Sequence, residues 1–446
     1  MSAPRFDESL PLLVRTLSGL AGPDFVARGT VLRDASGRLT FVSDRAPKDE
    51  PERKALAEAL GQALGPYARP GRPILFRGDP GAEPILEAAD SLPIQVADVF
   101  CHLLDRRIVG SGWLDAPKPR RPEAPRVVFA TLKGGVGRST ALTVTAADFA
   151  RRNRNVLVVD LDLEAPGLGN LLLDNDGTPE FGVIDYLVED GIGGVADSDL
   201  RSYVASSKLT EPGGGRVDVL PALGLRSLRH PENVLQKLSR AMIEDVIDGR
   251  TIPVSEQIST MISRIAERQQ YDAVFIDSRA GLAELAAPAV LGLGATVLFF
   301  GTAQKQTIEG YRALFAALQL LAQRDRAQGR DAEWRTRLRP VLAKTSLAPG
   351  AAERYLEDMY EIYSAHIYDA ETDGEQPPDS LRFVRDDKSA PHWPLMVPFS
   401  QSFIDFDPGR IPGQLFQSFY EQTFRPFLTE VEVAMASDGN IGGSQQ

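Results

Sequence analysis

Hydrophobic positions along this chain fall into two patterns. From residue 126 onward, short near-continuous apolar runs recur at 126–130, 156–160, 217–220, 273–277, 296–300, 338–343 and 395–397. Runs of that kind predict strands buried on both faces of a parallel sheet. Between them, 139–152 and 255–268 have helical length and spacing, and 415–435 predicts an amphipathic closing helix. The alternation predicts an open, doubly wound, mostly parallel α/β sheet. Before residue 115 the pattern is mixed. Residues 10–20 and 51–64 have helical spacing, 25–32 and 39–42 read as strands joined by a turn at Asp34-Ala-Ser-Gly37, and 94–113 holds further apolar structure. This predicts a smaller α+β unit. A proline-rich stretch lies between the two patterns. The expected division is an N-terminal α+β domain at 1–114, a linker at 115–125, the α/β domain at 126–435 and a flexible polar tail at 436–446.

Composition narrows the function classes. With 446 residues, 43% of them apolar and 25% charged, the chain has the balance of an ordinary globular protein. There are 49 basic and 61 acidic residues, a net charge of −12, while up to Glu123 there are 17 of each. The whole excess of acid therefore sits in the second part, which disfavours nucleic-acid binding through a broad basic surface. A single cysteine, Cys101, is expected to be an inert core thiol and excludes a disulfide framework or a multi-cysteine metal site. The four histidines (His102, His230, His366 and His392) have no metal-ligand spacing. Arg5, Asp7 and Glu8 interrupt the start, so no targeting segment is expected. The charge-free stretch 285–304 has the length of a membrane span, but Pro288, Gly292 and Gly294 break it, and a buried strand is expected at its end. The expected setting is cytoplasmic, without membrane contact. One bias stands out: 9 lysines against 40 arginines.

The sharpest chemistry is in RVVFATLKGGVGRST, residues 126–140, where a predicted strand runs through a glycine-rich loop into a predicted helix. Gly134, Gly135 and Gly137 let backbone N–H groups around Val136 turn inward, and the helix start adds free donors and its dipole. This is a nucleotide phosphate cradle, with Ser139 placed to ligate Mg²⁺ and Thr140 as the neighbouring alternative. The string departs from GxxxxGK[S/T]: Leu132 stands at the first glycine and Arg138 at the lysine.

The loop resembles the deviant KGGxGK[S/T] form of the ParA/MinD class of SIMIBI-like P-loop NTPases, and KGGVGRST (133–140) resembles a KGGVGR-variant subgroup. DLDLEAPG (160–167) resembles that class's switch segment, and YDAVFIDSRAG (271–281) its Walker B strand; VDVLP (217–221) and LMVP (395–398) resemble two later strands. The resemblance spans about residues 126–400. It implies ATP and Mg²⁺ as ligands, hydrolysis to ADP and phosphate, and a nucleotide-dependent homodimer. Lys133 would reach the partner subunit's nucleotide. Lys133, Arg138 and Asp162 would be catalytic, Asp162 by activating water. Ser139, Asp160 and Asp277 would serve the metal, the two carboxylates through water. An effector protein would be met through 1–114, in a switch of bacterial conflict or defence systems. The alternatives are a ParA-like DNA-positioning ATPase and a nucleotide-binding scaffold that does not hydrolyse.

Departures from the class exclude several branches. Iron–sulfur carriers need absent cysteines, tyrosine kinases of this class need a tyrosine-rich tail, and the final helix, with Glu421, Glu430, Glu432 and a single base at Arg425, would be repelled by anionic lipid. Arg138 is either a tolerated exchange within an arginine-rich chain or a change that slows hydrolysis. Arg279 stands where the class often has proline: it contacts a phosphate or a partner subunit, or it pairs with a nearby carboxylate. Glu164 is a switch-loop contact or a solvated turn residue.

Overall fold

The apolar runs fold as their pattern predicts. Strands Arg126–Thr131, Val156–Asp160, Val217–Leu220, Ala273–Ala280, Thr296–Gly301, Leu338–Thr345 and Leu395–Pro398 form one sheet, closed at an edge by Ala205–Ser206. In spatial order the strands begin at residues 395, 338, 296, 126, 273, 156, 217 and 205. All neighbours are parallel except the last pair, which is antiparallel. The chain is thus an α/β protein with a mostly parallel eight-stranded sheet. The computed structural model describes residues 4–120, 124–174, 177–247, 249–345, 350–370 and 380–436. The tail expected at 436–446 lies outside these from residue 437 on, as do 121–123 of the expected linker.

Helices cover the sheet because their apolar stripes need burial. Helix Arg138–Arg151 buries Leu142, Val144 and Phe149, and helix Gln417–Ala436 adds Phe424, Phe427 and Val431 to the same core. Phe149 meets Phe275 edge-on at 5.1 Å, and Phe129 stacks on Phe300 at 5.8 Å. Each buried phenylalanine contributes about 1.5–3 kcal/mol, so Phe275→Ala would strip several packed neighbours at once. Arg126, 5% exposed at the start of its strand, is satisfied by the Ser259 and Ser263 hydroxyls.

The chain divides into two units, Met1–Asp115 with Ala317–Ala332, and Ala116–Ala316 with Glu333–Gln446. Residues 116–120, expected to be a spacer, are pinned within the larger unit: the Lys118 N–H donates to the Leu291 carbonyl at 2.8 Å, and the Lys118 carbonyl accepts from Arg337 at 2.9 Å. Prolines set the extended path, but the remaining backbone groups still require partners.

The first unit is built on a mixed five-stranded sheet, with strands beginning in spatial order at residues 74, 39, 30, 99 and 92. Helices Phe6–Ala21 and Glu50–Leu64 match the helical spacing read from the sequence. The expected strand at 25–32 is corrected: a short helix, Pro23–Ala27, precedes a strand that starts only at Thr30. Pro23 suits a first helical turn, and Phe25 and Val26 are apolar because that turn buries them. Gly29 separates the two elements where a Cβ would lie 2.2 Å from the Phe41 ring. Residues 317–332 join this unit through Arg324, which donates to the Leu114 carbonyl, and Gln328, which donates to that of Ala89.

Candidate functional site

Strand register assembles the site. Asp277 lies beside Asp160 on one side and Phe129 on the other, so Asp160 at the end of its strand and Asp277 at the register shift of its own stand side by side, toward the loop that follows Thr131. That loop, 132–137, enters helix Arg138–Arg151, whose N-cap is Gly137. Gly135 (φ +76°) and Gly137 (φ +91°) occupy the left-handed region, where any other residue would be strained by about 1–2 kcal/mol. Built Cβ atoms at Gly134, Gly135 and Gly137 would meet nothing within 4 Å, so the loop rims open space. Helical bonding begins with Ala141 N–H to the Gly137 carbonyl at 2.9 Å, and the amides before it are orphan donors of a helix start. An open rim of donors at a helix N-terminus fits phosphate oxygens.

Beneath this rim, Arg138 turns inward. Its side chain is 9% exposed and contacts two aspartates: Nη2 lies 3.1 Å from Asp162 Oδ2 and 3.2 Å from Asp277 Oδ2, and Nε lies 2.6 Å from Asp277 Oδ1. Nη1 donates to the Ser278 carbonyl, and Nη2 lies 3.3 Å from Ser139 Oγ. The Ser139 hydroxyl donates to Asp277 Oδ2 at 2.7 Å. One planar fork thus serves two carboxylates, which a compact lysine ammonium would serve less completely. Asp162 Oδ1 and Asp277 Oδ1 are buried without a hydrogen-bond partner; the 2.6 Å approach of Arg138 Nε to the latter is a charge contact of poor alignment.

Asp160 does different work. Its Oδ1 accepts the Asp162 N–H at 3.1 Å, and its Oδ2 accepts those of Gly167 and Leu168 at 3.3 and 3.1 Å. The carboxylate is fully buried and shapes the loop that carries Asp162. Burial, then the charge of Asp277, pushes its pKa up to about 7 against the pull of those N–H donors. Burial also raises the pKa of Asp277, with Arg138 and Ser139 opposing.

The other predicted residues are more exposed. Lys133 stands in solvent, its Nζ donating to Gln304 Oε1 at 3.2 Å, while Val136 is buried and Thr140 half-buried. Arg279 pairs with Glu164 at 2.6 Å, and the same Nη1 lies 4.0 Å from Asp162 Oδ1. Of the alternatives left open, the carboxylate pair is the one seen in this structure. With side chains 27% and 37% exposed, it belongs with surface ion pairs, worth about 0–1 kcal/mol. The buried Arg138 contacts are of another class, in which removing one partner costs about 3–5 kcal/mol.

One residue lies beyond reach of motif reading. Lys344 has φ +52°, at a register shift between Ala343 and Thr345, and its Nζ donates to the Gly135 carbonyl at 2.7 Å. A bulge re-aims a side chain in this way.

The residues fit a divalent cation in donor chemistry: one serine hydroxyl and orphaned carboxylate oxygens of Asp162 and Asp277, which share one buried arginine. Among the described residues no group of three or more His, Cys, Asp or Glu is set to hold a metal by itself. A cation here would need oxygens from a bound phosphate as well, and Arg138 would have to yield Asp277 or Ser139. Among the described residues, no helix is long and apolar enough to cross a membrane.

Among known proteins, no family model matches this chain, and no curated protein sequence matches it. Solved structures similar to it include pNOB8 ParA bound to nonspecific DNA (13% identity, 70% of this chain and 98% of that one, TM-score 0.41). Others are apo McdA from Cyanthece (13% identity, 70% and 100% coverage, TM-score 0.41) and a ParA family ATPase from Chlorobium tepidum TLS (16% identity, 65% and 92% coverage, TM-score 0.39).

Proposed function

We propose that this chain is a Mg²⁺-dependent ATPase that works as a dimeric switch on a partner protein. The observation that carries this reading is the open glycine rim, Gly134, Gly135 and Gly137, running straight into Arg138 and Ser139, whose side chains contact Asp162 and Asp277. Loop amides and the helix start would hold the phosphates of ATP. Ser139, with Asp277 behind it, would hold Mg²⁺, which when bound neutralises charge developing on the phosphates. Asp162 would orient a water whose oxygen forms the new bond to the terminal phosphorus as the bond to the ADP oxygen breaks. The water's proton would leave by way of the Asp162 carboxylate. Asp160 would keep Asp162 in place through its three backbone N–H bonds. Lys133, exposed at the loop's edge, is free to meet a second subunit. Residues 1–114, with 14 basic and 15 acidic residues, would face the effector. The acidity of the rest of the chain supports a protein partner over DNA.

One observation favours a second reading, a nucleotide-binding scaffold that does not hydrolyse: Arg138 occupies both carboxylates that hydrolysis would use. Phosphate release and solution mass, measured with ATP and Mg²⁺ for wild type, Arg138→Lys and Asp162→Ala, separate the two. On the switch reading wild type turns over slowly and gains mass, Arg138→Lys turns over faster, and Asp162→Ala gains mass without turnover. Gain of mass with no turnover in wild type or Arg138→Lys would leave the scaffold. Absence of ATP binding to wild type defeats both.

A further inference from the structure

Two arginines flank Asp162, and they are held in opposite ways. Arg138 contacts Oδ2 from below, buried and tied also to Asp277, Ser139 and the Ser278 carbonyl. Arg279 approaches Oδ1 from the end of strand Ala273–Ala280, within the register shift between Asp277 and Ala280. Gly281, two residues on, donates its N–H to the Thr131 carbonyl at 2.8 Å, which fastens this strand end to the strand that feeds the glycine rim. The main partner of Arg279 is Glu164, on the segment that Asp160 shapes.

We propose that Arg279 is a second phosphate-binding cation, parked on Glu164 until ATP arrives; this rests on the ATPase reading above. Solvation decides which arginine can move. Withdrawing Arg138 would strand Asp162 and Asp277 in a buried setting without counter-charge, which is strongly opposed. Withdrawing Arg279 leaves Glu164, 37% exposed, to be hydrated in place. A terminal phosphate offers more negative charge than one carboxylate, and its oxygens match the guanidinium fork. The exchange also removes the cation that stands 4.0 Å from Asp162 Oδ1, an oxygen with no hydrogen-bond partner in this structure, and so opens that side of it to a water. The strand-end string D-S-R, 277–279, would thus serve metal and phosphate within three residues, beside the carboxylate that positions the water.

Fluorescent mant-ATP and mant-ADP titrations of the full chain with Mg²⁺ test this, with thermal melts as a check on folding. Arg279→Ala should weaken mant-ATP by about tenfold, the worth of one charge-assisted contact, and leave mant-ADP nearly unchanged. Arg279→Lys should recover part of the loss. Glu164→Ala should tighten mant-ATP, and that gain should vanish when Arg279→Ala is added. If Glu164→Ala instead weakens ATP as Arg279→Ala does, or if both nucleotides change equally, the pair is a fixed tie and the proposal fails. Wild type that binds mant-ATP with Arg279→Ala unchanged overturns this proposal alone. Wild type that binds no mant-ATP overturns the ATPase reading together with it.

Discussion

Two buried polar groups in the larger unit are built to opposite standards. Around His392, which is fully buried, the network is complete. Nε2–H donates to the Arg385 carbonyl at 2.8 Å, so Nδ1 accepts from the Tyr368 hydroxyl at 2.5 Å, and that hydroxyl in turn accepts the His392 N–H at 3.3 Å. Rings of Tyr360 and Tyr363 pack against it at 5.0 and 6.3 Å. Around Arg138, two aspartates, Asp162 and Asp277, share one buried guanidinium, and an oxygen of each lacks a hydrogen bond. A finished buried network specifies structure, whereas an unfinished one costs stability and marks a place where something else binds. The contrast separates a structural node from a working site without reference to any motif.

Arg138→Ala tests the contrast most severely. Stranding two buried carboxylates should cost about 3–5 kcal/mol in urea unfolding of the nucleotide-free protein. Adding Asp277→Asn should restore much of that loss. Simple additivity would mean that no charge coupling holds the cluster. His392→Leu should cost about 2–3 kcal/mol by leaving the Tyr368 hydroxyl and Arg385 carbonyl unpaired. Ligand response then divides the two regions: Mg²⁺ and ATP at 100 times Kd should stabilise wild type by about 2.7 kcal/mol. His392→Leu should keep that increment and Arg138→Ala should lose most of it. Equal increments in both variants would erase the distinction.

The same comparison predicts pH effects of opposite sign in metal-free protein. Burial holds the His392 pKa below its usual 6.5. Below that pH the unfolded chain takes up a proton that the folded chain refuses, so stability is complete above 6.5 and falls with acid. Asp160, raised from 3.8 to about 7, behaves in reverse: the folded chain keeps a proton that the unfolded chain has lost. Its contribution is complete below pH 3.8 and declines as pH rises toward 7. His392→Leu should therefore flatten the acid-side loss, and Asp160→Asn the decline between those values. Identical stability profiles for the two variants would contradict both assignments.

What the chain reveals before folding follows from where each residue sits. The seven long strands are legible because burial on both faces makes each a continuous apolar run. Edge strand Ala205–Ser206 and the hairpin of Asp245–Ile247 with Arg250–Ile252 are short or exposed and leave no such run. Phe25 and Val26 mislead because a short helix buries them as well as a strand would. The loop and its carboxylates are legible because the loop follows directly on one apolar run and Asp160 and Asp277 close two others. The direction of Arg138 is not, since it depends on the register that sets Asp277 beside Asp160. Lys344 is hidden altogether: a left-handed backbone at a register shift, 209 residues from Gly135 in the chain, brings its ammonium to the loop.

The smallest expected stability effect lies five residues before the largest, in the loop that leads to Arg138. Lys133 is exposed, and its side chain donates to Gln304 Oε1 alone among the bonds seen, so Lys133→Ala should shift unfolding by no more than about 0.5 kcal/mol. A side chain with so little hold on its own fold can still be essential if its partner lies on a second copy. On the proposed reading, the variant keeps its melting temperature and its affinity for mant-ATP but stays monomeric with ATP and Mg²⁺ and loses turnover. Mass measured by light scattering decides the matter. A Lys133→Ala protein that dimerises like wild type would confine the loop's chemistry to a single chain, and Arg138 and Arg279 would then be the cations left to perform it.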